Sequence, residues 1–229
     1  MAYLISLPVV GIIITILCYF LGIRANKLFP SPLTSPMVIA NGLIILIICL
    51  TPLTIEQYLT GGNMITLFIV PATTLLSLRI YRQWALLKAN VIPILSGCIA
   101  GSVASMASTF GLCKLFSIDT GLIVSLLPKS VTTAIALELA TKNGGFSGVA
   151  ISGVIITGVF SAAFGPFFIK NFKLRDPVAG GVAMGASGHA IGTAAALEIG
   201  EVYGAMGGIA IGLMGIITSL LFLFVPLLF

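Results

Sequence analysis

Two ionisable side chains stand where an apolar chain has least reason to keep them. Lys129 follows Pro128 midway through the apolar segment 119–141, and His189 ends the run Gly185-Ala186-Ser187-Gly188 midway through a second one, 176–200. An ionisable group at membrane depth is costly, and where one persists it marks a substrate, ion or proton path. Lys129 offers a cation to an anion. His189 is the only histidine, and with an unperturbed pKa of about 6.5 it can change charge in a proton-coupled cycle. The bland alternatives are a lysine bonded to backbone carbonyls and a packing histidine that donates one hydrogen bond. Hydroxyls flank both positions: Ser130, Thr132 and Thr133 follow the lysine, Ser187 precedes the histidine and Thr193 follows it. Thr133 and Thr193 each fall four residues beyond the ionisable group, on the same face of a helix. There the hydroxyl either donates to a bound carboxylate or back-bonds to the preceding turn. Lys129, Ser130, Thr132, Thr133, Ser187, His189 and Thr193 are therefore the expected anion-binding set.

Glu138 and Glu198 are the other polar groups in these segments, and proton coupling or gating is the role open to them beside His189. Each lies nine residues beyond Lys129 or His189, which on a helix means the opposite face and about 13 Å along the axis. Lys142 stands one turn after Glu138, suited to a local ion pair. A structural or gating role suits both carboxylates better than direct chemistry. The chain has no phosphate-binding glycine loop, no serine elbow, no H-E-x-x-H and no carboxylate cluster, so catalysis is not expected. Cys18, Cys49, Cys98 and Cys113 are isolated within or at the ends of apolar stretches. They point to neither zinc nor a disulfide framework, and no cofactor is expected.

The elements that must hold these groups are membrane helices. Of 229 residues 59% are hydrophobic and 7% charged, with a mean hydropathy of +1.21, whereas soluble domains carry about a quarter charged residues. Apolar stretches near 4–22, 35–53, 63–78, 91–113, 147–169 and 205–229 approach or exceed the ~20 residues that cross a bilayer. Six full spans are expected. The first has no basic residues before it and no small-residue cleavage site after it, so a removable signal is a poor reading. The net charge of +5 sits in short loops, where it sets orientation rather than binding nucleic acid.

The segments carrying Lys129 and His189 are not plain spans. The arm before each break is about 8–10 residues, or roughly 12–15 Å, half the hydrocarbon thickness, as in a re-entrant hairpin. With hairpins and an outside N-terminus, Arg24, Lys27, Arg79, Arg82, Lys88, Lys170, Lys173 and Arg175 share one side and only Lys114 and Lys142 the other. That obeys the positive-inside rule. Two full crossings would instead scatter the cations almost evenly.

An internal repeat supports the same choice. Residues 133–151 align without a gap to 193–211, offset by 60, with nine identities in nineteen positions. The offset pairs Lys129 with His189. One span separates the hairpins, so they enter from opposite sides, and inverted repeats with broken helices meeting near the midplane characterise secondary transporters. Two partly positive helix starts converging there form an anion site. The expected fold is an all-α integral membrane protein of about six transmembrane helices plus two re-entrant broken-helix hairpins. Residues 1–116 form a four-span region and 117–229 the inverted repeat, as units 117–170 and 176–229. Asp119 and Asp176-Pro177 are expected to open the hairpins as caps. Pro71-Ala72-Thr73-Thr74 reads as a gate or a kink. The small-residue ladders Gly144-Gly148-Ser152 and Gly204-Gly208-Gly212 read as helix-packing faces.

The stretches LLPKSVTTAIALELATKNGG and GASGHAIGTAAALEIGEVYGAMGGIAIGLMGIIT, with VPATTLLSLRIYRQW in the earlier half, resemble the LrgB/CidB family. That family includes bacterial antiholin-like proteins and one half of the plastidal glycolate/glycerate translocator, and the likeness runs across nearly the whole chain. The resemblance implies two functions: carriage of small monocarboxylates (glycolate, glycerate or pyruvate), or modulation of murein hydrolase export and autolysis. It also implies a separate LrgA/CidA-type holin-like subunit, because the holin-like portion fused in the plant protein is absent from these residues. A homo-oligomer, a bacterial plasma (inner) membrane location and N- and C-termini outside the cytoplasm complete the expectation.

Overall fold

The computed structural model describes residues 8–228. The side chains at 69, 70, 72, 73, 76, 77, 79 and 228 lie outside that description, as do the start of the expected first span and the Ala72-Thr73 part of the candidate gate. All regular structure among the described residues is helical, and four helices are long and apolar enough to cross a membrane. This is a membrane protein. The chain divides into two compact units, meeting in sequence at Leu75 and Leu76.

The N-terminal unit holds α1 (Pro8–Leu28), α2 (Pro36–Leu50), α3 (Ile55–Thr66) and the start of α4 (Ile69–Arg82). Pro36 starts α2 at a position where the missing N–H costs nothing. Thr54 and Gln57 cap α3 reciprocally, at 3.3 and 3.0 Å. A glycine pair, Gly11 and Gly61, lets α1 and α3 touch through backbone, and Tyr58 Oη lies 2.9 Å from Thr15 Oγ1 across that contact. The expected spans here come out differently. The stretch 35–53 gives a helix of 15 residues, and 63–78 straddles the boundary between α3 and α4, where Leu67 and Phe68 form a turn.

The C-terminal unit continues with α5 (Trp84–Ala89), α6 (Val91–Leu115), α7 (Thr120–Leu126), α8 (Thr133–Lys142), α9 (Ser147–Asn171), α10 (Pro177–Ile199) and α11 (Glu201–Phe222), closing on a 3₁₀ turn, Val225–Leu228. The expected caps form: Asp119 accepts from Gly121 N–H at 2.8 Å and Asp176 from Val178 N–H at 2.9 Å. Both expected breaks also occur. Helix α7 stops at Leu126, and Leu127 to Ser130 form turns, followed by a bend at Val131 and extended Thr132, before α8 begins. Helix α10 is interrupted by His189 alone, at φ 42° and ψ −133°, a conformation that costs a non-glycine residue roughly 1–3 kcal/mol.

Each broken pair folds back on itself. Gly121, near the start of α7, has no room for a Cβ, which would stand 2.8 Å from the Phe146 ring just beyond α8. Phe146 N–H also donates to Ser125 Oγ at 2.6 Å. The start of α7 and the end of α8 therefore lie at one level. Sixty residues on, a Cβ on Gly181 would stand 2.9 Å from Met206 Cβ, and Leu197 packs against Gly204, so both ends of α10 lie beside the start of α11. Helix α7 starts at the end of the unit where α9 starts, whereas α10 starts where α9 ends.

The core joins α6, the part of α10 before His189, α9 and α11 through Ile94, Cys98, Val154, Val182, Met206 and Met214. Of the glycine ladders read from sequence, Gly204 makes a close approach, to Leu197, while Gly144, Gly148 and Gly212 face open space; Gly158 and Gly165 on α9 and Gly207 on α11 carry further close approaches.

Candidate functional site

A cavity of about 590 Å³ lies within the C-terminal unit, between α6, α10 and the tip that carries Lys129. Its two long walls are single helical faces. Pro93, Ile94, Gly97, Gly101 and Ser105 follow one another along α6, opposite Val178, Val182 and Ala186 of α10. These helices run parallel, because a Cβ on Gly97 would sit 3.6 Å from Val182 and one on Gly101 3.7 Å from Ala186. Asn90 and Asp176, the residues that open α6 and α10, mark one end of the trough. Lys129, Ser130, Ser105 and Ser187 mark the other.

The Lys129 end is a small polar nest in an apolar wall. Lys129 Nζ donates to Thr109 Oγ1 at 2.9 Å and to Ser105 Oγ at 3.1 Å. Ser105 Oγ is also 2.5 Å from Ser130 Oγ, and the Ser161 and Ser187 hydroxyls meet at 2.8 Å. Lys142 pairs with Glu138 at 2.6 Å, and among the described residues no carboxylate faces Lys129. Asp176 lines the same cavity, but fifteen residues separate Asn90 from Ser105, about 22 Å of helix. An ammonium bonded only to neutral hydroxyls keeps its charge available to an incoming anion.

The structure separates the predicted site residues. Lys129, Ser130 and Ser187 line the cavity. Thr132, at the N-cap position of α8 but without a side-chain capping bond, does not line the cavity, and Thr133 is exposed outside it. His189 is buried away from the cavity, its Nε2 2.9 Å from Val154 O, against Gly158, where a Cβ would stand 2.7 Å from the ring. Thr193 is also buried, and its Oγ1 has no hydrogen-bond partner. The helical reasoning that put Thr133 beside Lys129 and Thr193 beside His189 does not apply, because the ionisable residue in each pair sits in non-helical backbone. Glu138 and Glu198 are exposed, the first in the expected pair with Lys142.

Both ionisable residues meet the inner part of a long helix. Lys129 meets α6 at Ser105 and Thr109, and His189 meets α9 at Val154 and Gly158, in each case near the middle of a 25-residue helix. Ser105 and Thr109 are functional candidates that the sequence reading missed. Their signal was present: Gly97-Gly101-Ser105-Thr109 is a small-residue ladder at four-residue spacing.

Comparison with known proteins bears on what this arrangement belongs to. The model of the LrgB-like family matches residues 15–228, nearly the whole chain. The chain belongs to the LrgB-like family. Among its LrgB relatives are proteins named antiholin-like protein LrgB from Bacillus cereus (strain B4264) and Bacillus anthracis (strain CDC 684 / NRRL 3495). Each is 36% identical over 214 residues, covering 92% of both chains. No solved structure matches.

Proposed function

We propose that this LrgB-family protein is a membrane carrier for small monocarboxylates of the glycolate, glycerate or pyruvate class. The observation that carries this reading is Lys129: a cation at the inner end of a cavity, bonded to hydroxyls alone and facing no carboxylate. Its hydroxyl neighbours can turn to donate to carboxylate or hydroxyl oxygens of a bound acid.

In this reading α7–α8 and α10 are re-entrant hairpins of an inverted repeat, within a protein of six crossings in a bacterial plasma membrane. The cavity end at Asn90 and Asp176 adjoins Lys88, Lys170 in the last turn of α9, and the loop bearing Lys173 and Arg175. The positive-inside rule makes that end cytoplasmic and both termini external. The present state is then open to the cytoplasm. The repeat supplies a counterpart on the other side. Leu126, which the 60-residue offset pairs with Ala186 of the open trough, packs against α9, a Cβ on Gly153 lying 3.0 Å from Leu126 Cδ2. Parting that contact while closing the trough would exchange access between the two faces, as inverted-repeat transporters do. His189, now covered, would be uncovered in the exchange, and proton coupling would enter there.

The name antiholin-like protein LrgB, borne by the relatives, suits a second reading, in which the protein modulates autolysis with a holin-like LrgA/CidA-type subunit and turns over no solute. Proteoliposome uptake of labelled pyruvate and glycolate, with and without such a subunit and under an imposed proton gradient, separates the two. Saturable uptake that disappears in Lys129→Ala supports the carrier. No flux in either preparation, with insertion verified, supports the regulator.

A further inference from the structure

We infer that the trough also takes straight-chain monocarboxylates of about six to nine carbons, the carboxylate at Lys129 and the chain along the α6–α10 walls. This rests on the carrier reading for its head-group site and extends it in substrate class.

The argument is one of length and polarity. A three-carbon acid spans about 5 Å by ordinary bond lengths, so at Lys129 it would occupy only the inner end. From Gly101 back to Pro93 the α6 wall runs eight residues, about 12 Å, and presents Gly101, Gly97, Ile94 and Pro93 to Val182 and Ala186. No charged side chain lines this stretch. The charged groups of the cavity are at its ends, Lys129 at one and Asp176 at the other. An extended alkyl chain advances about 1.3 Å per carbon, and 12 Å therefore holds the tail of a medium-chain acid. The volume of about 590 Å³ falls within the roughly 300–1,000 Å³ of sites that enclose ligands larger than a three-carbon acid. Cβ atoms at Gly97 and Gly101 would already touch Val182 and Ala186, so larger side chains there would be forced aside into the trough that the tail needs.

Each methylene moved from water to an apolar wall contributes about 0.8 kcal/mol, close to a fourfold gain in affinity. The test uses the full chain in lipid nanodiscs and n-alkanesulfonates of two to eight carbons. These are permanently ionised and do not carry protons across bilayers. Calorimetric binding is corrected for partition into empty discs, and pyruvate counterflow in proteoliposomes is measured beside it. The expected result is affinity rising about fourfold per methylene to six or more carbons, weakened throughout the series by Lys129→Ala. Gly101→Leu, with Gly97→Leu as the independent second variant, should flatten the series. A series already flat in the wild type overturns the inference, as does a chain-length dependence that survives both Lys129→Ala and the glycine variants, which would assign the chains to lipid. Chain-dependent binding through Lys129 without pyruvate counterflow supports the trough and sinks the small-acid carrier. Counterflow with a flat series does the reverse.

Discussion

Replacing Lys129 by alanine should raise the concentration for half-maximal pyruvate or glycolate transport by about 10- to 150-fold while leaving the protein folded. The lysine holds two hydrogen bonds, to Thr109 Oγ1 at 2.9 Å and Ser105 Oγ at 3.1 Å, and a bound carboxylate would add a charge-assisted one. A hydrogen bond to a charged group contributes about 1.5–3 kcal/mol, and 1.4 kcal/mol is tenfold in affinity. The variant should not unfold, because the ammonium faces no carboxylate that its loss would leave buried and unpaired. The hydroxyls left behind can bond one another, as Ser105 and Ser130 already do. Lys129→Arg retains the charge but carries a broader, planar head into a nest built for an ammonium, and a smaller loss is expected. The assay is counterflow of labelled acid across a concentration series in proteoliposomes, with inserted protein quantified and the melting temperature taken in detergent. Half-saturation within twofold of wild type in Lys129→Ala would refute the assignment of this lysine to the anion. A variant that fails to insert is replaced by Lys129→Met, which keeps the stem.

Three further outcomes follow from the geometry. Gly158→Ala pushes a methyl against the His189 ring, now 2.9 Å from Val154 O, and overpacking of this kind costs about 1–3 kcal/mol. Its melting temperature should fall below that of Gly148→Ala, a site with open space; equal values would contradict the packing. His189→Gly should be more stable than His189→Ala by about 1 kcal/mol in reversible detergent unfolding, because glycine tolerates φ 42°, and the opposite order would deny that strain. In a background lacking the four native cysteines, Ala183→Cys on the cavity wall should react with an impermeant maleimide from the cytoplasmic face. Leu122→Cys, which the repeat pairs with Val182, should react from the opposite face during counterflow; silence there under every substrate condition would remove the two-sided access.

Much of the architecture could be read in one dimension. Composition alone required membrane helices, since so apolar a chain with so few charges cannot remain dispersed in water. Pro128 and the glycines before His189 announced both breaks, Asp119 and Asp176 announced the caps, and the 60-residue repeat announced that the breaks are related. These are local signals, and backbone chemistry enforces them wherever the segment finds itself. The partner of each break was not local. Repeat equivalence makes Lys129 and His189 look like two halves of one site, yet Lys129 packs against α6, where Ser105 and Thr109 present hydroxyls, and His189 against α9, where Gly158 exposes backbone. Those neighbours stand 20 to 35 residues away in the chain, and only tertiary packing brings them together. Sequence therefore determined which ionisable groups the apolar segments carry, and the fold decided which of the two faces the cavity, because that depends on which helices pack against each break.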